Sequence, residues 1–220
     1  MNRPIVTLLI AWLLVVHTSS ASDSPTTSGD RRTVVILGDS LAAGYGLDPS
    51  EGFPAVLQQK IDAAGLKYLI VNAGVSGDTS AGGLRRIDWL LKRPVDVLLL
   101  ELGGNDGLRG IPVGLTRTNL QSIIDRTKQK YPQARIVIAG MQMPSNMGAD
   151  YTAAFERIFP ELAKTNNATL IPFLLEGVGG RPMLNQPDLI HPTADGHKVV
   201  AENVWKVLKP ALEKTNATKP

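Results

Sequence analysis

The chain has 220 residues, enough for one domain around a single core. Apolar residues make up 43% and charged residues 20%, a globular composition that excludes a disordered or fibrous chain. A net charge of +3 without a Lys/Arg run leaves no footprint for nucleic acid, and the lack of cysteine excludes disulfides, a thiol nucleophile and Cys-ligated metal.

At the start, Arg3 precedes an apolar stretch at 5–16, and Ser19 and Ala21 put small residues at a cleavage site. This pattern predicts a secretory signal peptide over 1–21. A membrane anchor is the alternative, but the 12 apolar residues reach only about 18 Å as a helix, against a hydrocarbon core of ~30 Å. Export to the periplasm or beyond, without a stable membrane anchor, is therefore expected. Residues 22–32 are polar and rich in Ser, Thr and Pro, as in a flexible leader.

Short apolar runs follow at 33–38, 68–74, 96–103, 134–141 and 168–173. They are hydrophobic throughout, as parallel strands covered on both faces must be. Amphipathic stretches alternate with them at 53–65, 79–93, 115–131, 150–164 and 194–214. Gly65 and Pro94 stop the first two, and Pro160 predicts a kink or break in the fourth. The domain thus spans 33–214, with a frayed tail at 215–220. Strands alternating with helices imply an α/β, three-layer, doubly wound fold on a five-stranded parallel sheet. By analogy with flavodoxin-like sheets the expected strand order is 2-1-3-4-5.

In such folds the cleft lies outside the carboxyl ends of the strands. The first three exits read "GDSLAAGYG", "NAGVSGDTS" and "ELGGNDGLRG". Ser40 is a candidate nucleophile, and a serine hydroxyl needs a base. Of three histidines, His17 falls in the predicted signal peptide, and His197 sits early in the last helical stretch with no acid partner identified for it, so it reads as a surface residue. His191 remains, in "PDLIHPT", with Asp188 three residues earlier. In a tight loop that spacing can return the carboxylate to the imidazole and fix its tautomer; the same Asp could simply cap a turn. An oxyanion needs donors placed in advance. The N–H of Ser40, a glycine after the second strand (Gly74 or Gly77) and the Asn105 amide are candidates, although Gly and Asn are also ordinary turn residues. Asp39, Asp78 and Asp106 are expected to brace loops through local N–H groups.

"GDSL" at 38–41, "NAGVSGDTS" at 72–80, "ELGGNDGLRG" at 101–110 and "DLIHPT" at 188–193 together resemble the four blocks of the SGNH (GDSL-type) hydrolases, nearest the thioesterase I / lysophospholipase L1 / arylesterase group. The resemblance runs over residues 33–212, and Ala42 departs from the serine common in related first blocks. It implies the SGNH hydrolase fold and a serine esterase acting on carboxylic esters and thioesters. Ser40, His191 and Asp188 would form the triad. Ser40, Gly77 and Asn105 would form the oxyanion hole, with Gly77 preferred over Gly74 because the family places its donor in "SGD". It also implies an acyl-binding surface on the loops after the third and fourth strands, which here carry Leu108, Ile111 and Pro112, and Met141, Met143, Pro144 and Met147. Those methionines could equally fill gaps beneath the loop. Small acyl esters or thioesters, lysophospholipids among them, are the implied substrates of a monomer needing no cofactor or metal.

Three other readings stay open. A metal-dependent phosphoesterase would use Asp39, Asp78, Asn105, Asp106 and His191 as ligands, but two histidines lie beyond the predicted signal peptide and they form no H-x-x-x-H pair. A binding module could share the scaffold without catalysis. A carbohydrate or peptidoglycan O-acetyl esterase would share the machinery and differ only in substrate.

Overall fold

The computed structural model describes residues 31–216. The expected signal peptide, nearly all of the leader and the end of the tail lie outside the described residues. β1 (Arg32–Gly38) begins one residue inside the expected leader, because Arg32 already pairs with Tyr68 of the neighbouring strand. After it come α1 (Ser40–Ala43), α2 (Phe53–Ala63), β2 (Tyr68–Gly74), α3 (Ser80–Leu90) and β3 (Val97–Glu101). The second half contains α4 (Gly104–Leu108), α5 (Val113–Lys130), β4 (Arg135–Ala139), α6 (Ala149–Asn166), β5 (Thr169–Ile171) and α7 (Ala194–Asn216). Among the described residues no helix is long and apolar enough to cross a membrane.

The five strands form one parallel sheet in the order β2-β1-β3-β4-β5. Right-handed crossovers send the chain outward from β1 to β2 and then back across to β3, β4 and β5, which places helices on opposite faces. α2 packs on α7, while α3 packs on α5 and α5 on α6. Val34 to Leu37 and Val97 to Leu100 are buried along their whole length, the mark of strands covered twice. On α7, Val200, Val204, Leu208 and Leu212 recur every fourth residue and are all buried.

Three expectations shift. The last three strands are shorter than their apolar runs. Leu102 and Met141 are buried but lie beyond the ladder, and Pro172 has no N–H to extend β5. The exits after β1 and β3 coil into the short helices α1 and α4, which apolar periodicity does not reveal in so few residues. α6 continues through Pro160 without a break. Pro160 and Glu156 are both exposed, so the Glu156 carbonyl left without a donor faces water.

The register sets the position of the cleft. Gly38 of β1 lies opposite Gly74 of β2 on one side and Glu101 of β3 on the other, so three exits leave the sheet at one level. A side chain at Gly38 would put its Cβ 2.3 Å from Glu101 Oε2 and 2.6 Å from the Ala42 Cβ. Glycine there makes room for the buried Glu101 carboxyl, which accepts from the Asp39 N–H just before Ser40.

Candidate active site

Asp39 is the N-cap of α1 and its Oδ1 accepts from Leu41 N–H at 3.0 Å. This bond, with Gly44 in the left-handed region (φ 70°) closing the single turn, fixes Ser40 at the first position of the helix. Ser40 N–H is among the helix-start amides that have no intrahelical partner.

The other partner comes from the far end of the chain. Asp188 Oδ1 accepts from the N–H of Ile190 at 2.9 Å and of His191 at 3.0 Å, folding the segment into a tight turn. Its Oδ2 meets His191 Nδ1 at 2.6 Å, and His191 Nε2 lies 2.9 Å from Ser40 Oγ. A carboxylate can only accept, so Nδ1 carries the proton and Nε2 accepts from the serine hydroxyl. The turn is tied to the serine loop by Gln186, whose Nε2 donates to Tyr45 O at 2.7 Å and whose N–H donates to His191 O at 2.7 Å. The Tyr45 ring lies 4.5 Å from the imidazole, tilted by 41°. The N–H of His191 beside its carboxyl, followed by the imidazole bond, holds Asp188 down at about 2.

Asn105 sits on α4, where Gly103 (φ 119°) lets the chain turn sharply out of β3. Its Nδ2 donates to Asp78 O at 2.9 Å and to Asp39 Oδ2 at 3.2 Å. The two candidate glycines differ. Gly74 N–H already donates to Asn72 Oδ1 at 2.9 Å, and a Cβ there would lie 2.3 Å from Ala43 N. Its smallness serves the packing of β2 against α1. Gly77 has φ 78° and open space, with only the end of the Arg109 side chain near a built Cβ.

The carboxylates brace the loops, but local N–H groups are only part of it: Asp39 and Asp78 accept from Leu41 and Thr79 N–H, while Asp78 and Asp106 also bond side chains and a backbone N–H distant in the chain. Asp106 accepts from Ser80 N–H at 2.8 Å and from the Ser80 and Thr116 hydroxyls, joining α4 to α3 and α5. Asp78 accepts from Arg86 Nε at 2.8 Å, and Arg86 also donates to Ala73 O at 2.6 Å and Gly38 O at 2.9 Å. One guanidinium thus pins two strand exits and the loop after β2. Among the described residues no three His, Asp or Glu side chains gather as metal ligands would.

A cavity of about 520 Å³ opens beside Ser40, Asn105 and His191. Of the expected acyl-binding residues, Leu108, Met141, Met143 and Pro144 line it. Ile111, Pro112 and Met147 are not among its lining residues. The Ile111 carbonyl accepts from Tyr151 Oη at 2.8 Å, Pro112 caps α5, and Met147 ends a 3-10 turn at Ser145–Met147. Met143 lies over α4, where a Cβ at Gly107 would be 2.2 Å from its Sδ.

The far wall, from Phe173, Leu175, Gly179 and Gly180, is missing from the sequence reading, as are Leu189 and Ile190 on the histidine side. The apolar pair inside D-x-x-H was the one available signal for the latter. Glu101 was also missed. It is fully buried, its Oε2 accepts from Asp39 N–H at 3.1 Å, and its Oε1 has no hydrogen-bond partner. Burial, with Asp39 beside it, pushes its carboxyl well above the usual range. His197 is a correction. It is buried, not at the surface, stacks on Phe53 and accepts from Phe53 N–H through Nδ1 at 3.1 Å. Burial lowers it to about 4, so it stays neutral.

A model of the GDSL-like Lipase/Acylhydrolase family matches residues 36–199. The chain belongs to this family, the GDSL or SGNH hydrolases. The GDSL hydrolase is 42% identical over 182 residues to Esterase TesA of Pseudomonas aeruginosa, covering 82% of this chain and 90% of that protein. It is 41% identical over 181 residues to the Thioesterase 1/protease 1/lysophospholipase L1 of Escherichia coli K12, covering 82% and 85%. Among solved structures it is similar to the psychrotrophic esterase EstA from Pseudoalteromonas sp. inhibited by monoethylphosphonate. The identity is 35% and the TM-score 0.77, over 83% of this chain and 99% of that chain. The GDSL hydrolase is a carboxylic ester or thioester hydrolase.

Proposed function

We propose that this GDSL hydrolase is an exported serine esterase that cleaves carboxylic esters and thioesters, including aryl esters and lysophospholipids, through an acyl-enzyme. His191, oriented by Asp188, takes the proton of Ser40 as Oγ attacks the acyl carbonyl. The N–H groups of Ser40 and Gly77 and the Asn105 amide hold the resulting oxyanion. The longer Asn105 bond, to Asp39 at 3.2 Å, is the one released for this purpose. His191 then gives the proton to the leaving alcohol or thiol. Water, deprotonated by the same imidazole, attacks the acyl-enzyme; the Ser40 ester bond breaks and the acid leaves.

The observation that carries the reading is the unbroken path from Ser40 Oγ to His191 at 2.9 Å and on to Asp188 at 2.6 Å. The phosphonate-inhibited esterase similar to this chain supports it, since phosphonates trap activated hydroxyl nucleophiles. A cavity lined by Leu108, Met143, Phe173 and Leu175 favours acyl chains over a bare acetyl group. The test is labelling with a fluorophosphonate, peptide mapping, and turnover of para-nitrophenyl esters. Ser40 is expected to carry the label, and Ser40→Ala to lose both label and turnover while keeping its thermal transition. A label elsewhere, or an active Ser40→Ala variant, overturns the reading.

A further inference from the structure

Leu189 sits inside the Asp188–His191 turn with φ of 60°. Among the described residues the other non-glycine position with positive φ is Asn167, which closes α6, a role asparagine fills readily. A leucine in this region presses its Cβ toward the following carbonyl, whereas glycine would adopt the same backbone freely. The turn dictates the conformation. Leu189 N–H donates to Gln186 O at 2.9 Å, and Asp188 Oδ1 holds the next two N–H groups, which swings Oδ2 onto the imidazole.

The fold gives the side chain little in return. Leu189 is 54% exposed and Ile190 47%. Both nevertheless line the cavity that opens at Ser40 and His191. A strained backbone that presents an uncovered apolar side chain to a site is accounted for by what the site binds.

The geometry points to Leu189 as a specificity-determining residue: with Ile190 it forms an apolar lip on the histidine side of the cavity, covered only when the substrate carries an acyl chain long enough to reach it. The inference rests on the triad reading above and deepens it, naming the substrates as esters or thioesters of extended acyl chains rather than acetyl esters. Binding energy from a part of the substrate remote from the carbonyl then adds to transition-state stabilisation.

The test compares Leu189→Gly and Leu189→Ala with the parent, using para-nitrophenyl octanoate and acetate. Fluorophosphonate titration counts active sites in every sample. The ratio of kcat/KM for octanoate over acetate is expected to fall about tenfold in both variants, as for other losses of apolar contact in a pocket. Glycine relieves the left-handed strain but loosens the unfolded chain, so its Tm should stay within about 3 °C of the parent. Leu189→Ala keeps the backbone strain and removes only the lip. A ratio within twofold of the parent in Leu189→Ala, or a fall confined to Leu189→Gly, overturns the proposal. A parent that takes no label fails the triad reading instead, so the two failures are distinguishable.

Discussion

Asp188 and Asp39 each stand one step from the Ser40–His191 bond, the first through the imidazole and the second along the chain, and they are held in opposite ways. The Asp188 side chain is 38% exposed, with two backbone N–H groups and the imidazole aimed at it. Those donors keep it ionised, at about 2. Asp39 is buried, and desolvation raises it to about 6 despite the bonds from Leu41 and Asn105. Glu101, whose Oε2 accepts from the Asp39 N–H, is also raised well above the usual range, by burial and by the charge of Asp39. Adjacency to Ser40 along the chain therefore does not bring a carboxylate to the imidazole. The exposed group presents a charge to the imidazole, while the buried pair, pushed toward its neutral form, holds the start of α1 in place.

The sharpest way to break this contrast is Asp188→Asn. Without the carboxylate the imidazole loses both its preferred tautomer and its counter-charge, and kcat should fall about 10³–10⁴-fold. Steady-state turnover of an acyl ester measures it, and a loss under tenfold would remove Asp188 from the triad.

The next effect is on stability. A carboxyl whose pKa is higher folded than unfolded binds more protons when folded, so its contribution is fullest at low pH and is lost as pH rises. For Asp39 that loss runs between about pH 4 and 6, and the raised Glu101 carboxyl has the same sign. Asp188 has the opposite sign: its stabilisation is present above about pH 4 and disappears as pH falls toward 2. Glu101→Gln removes the charge at nearly constant volume. Its Tm should exceed the parent's by about 4 °C at pH 8, with the gap closing toward pH 5. Calorimetry at both pH values would show a constant gap if burial of charge is not the cause.

The smallest effect on rate belongs to the second histidine. His197 has its pKa lowered, so the stability it brings is present above about pH 6.5 and fades as pH falls through about 4. His197→Ala leaves the Phe53 N–H without its acceptor and should cost about 2 kcal/mol of unfolding free energy at pH 7.5, by denaturant titration. Its kcat and pH–rate profile should match the parent's. A shifted profile would bring His197 into the chemistry.

The sheet was legible because buried parallel strands are written as unbroken apolar runs, and the first two runs match β1 and β2 to within a residue. The hydrogen-bonded chain of Ser40, His191 and Asp188 was legible because few histidines compete and the D-x-x-H spacing, with a proline after the histidine, reads as a loop. His197 was misread because its partner is a backbone N–H 144 residues away, which no local spacing reveals. Glu101 reads as the polar end of an apolar strand. Its burial depends on Gly38 in the neighbouring strand leaving space, a fact of register rather than of either segment. The acyl wall at Phe173 to Gly180 lies in an irregular segment whose residues follow no period.

Ser40 and His191 are separated by 151 residues of chain, and the helix after His191 covers α2 and receives the Tyr68 hydroxyl at Leu212 O. A nascent polypeptide therefore exposes its serine to the translation machinery long before the imidazole has been made. Until the last helix emerges and docks, that serine is a plain alcohol. A cut that removes the last helix, by premature termination or by a protease, takes Val200, Val204, Leu208 and Leu212 out of the core. On the proposed mechanism a fragment that ends before His191 keeps the serine without its base, and it should carry no esterase activity of its own.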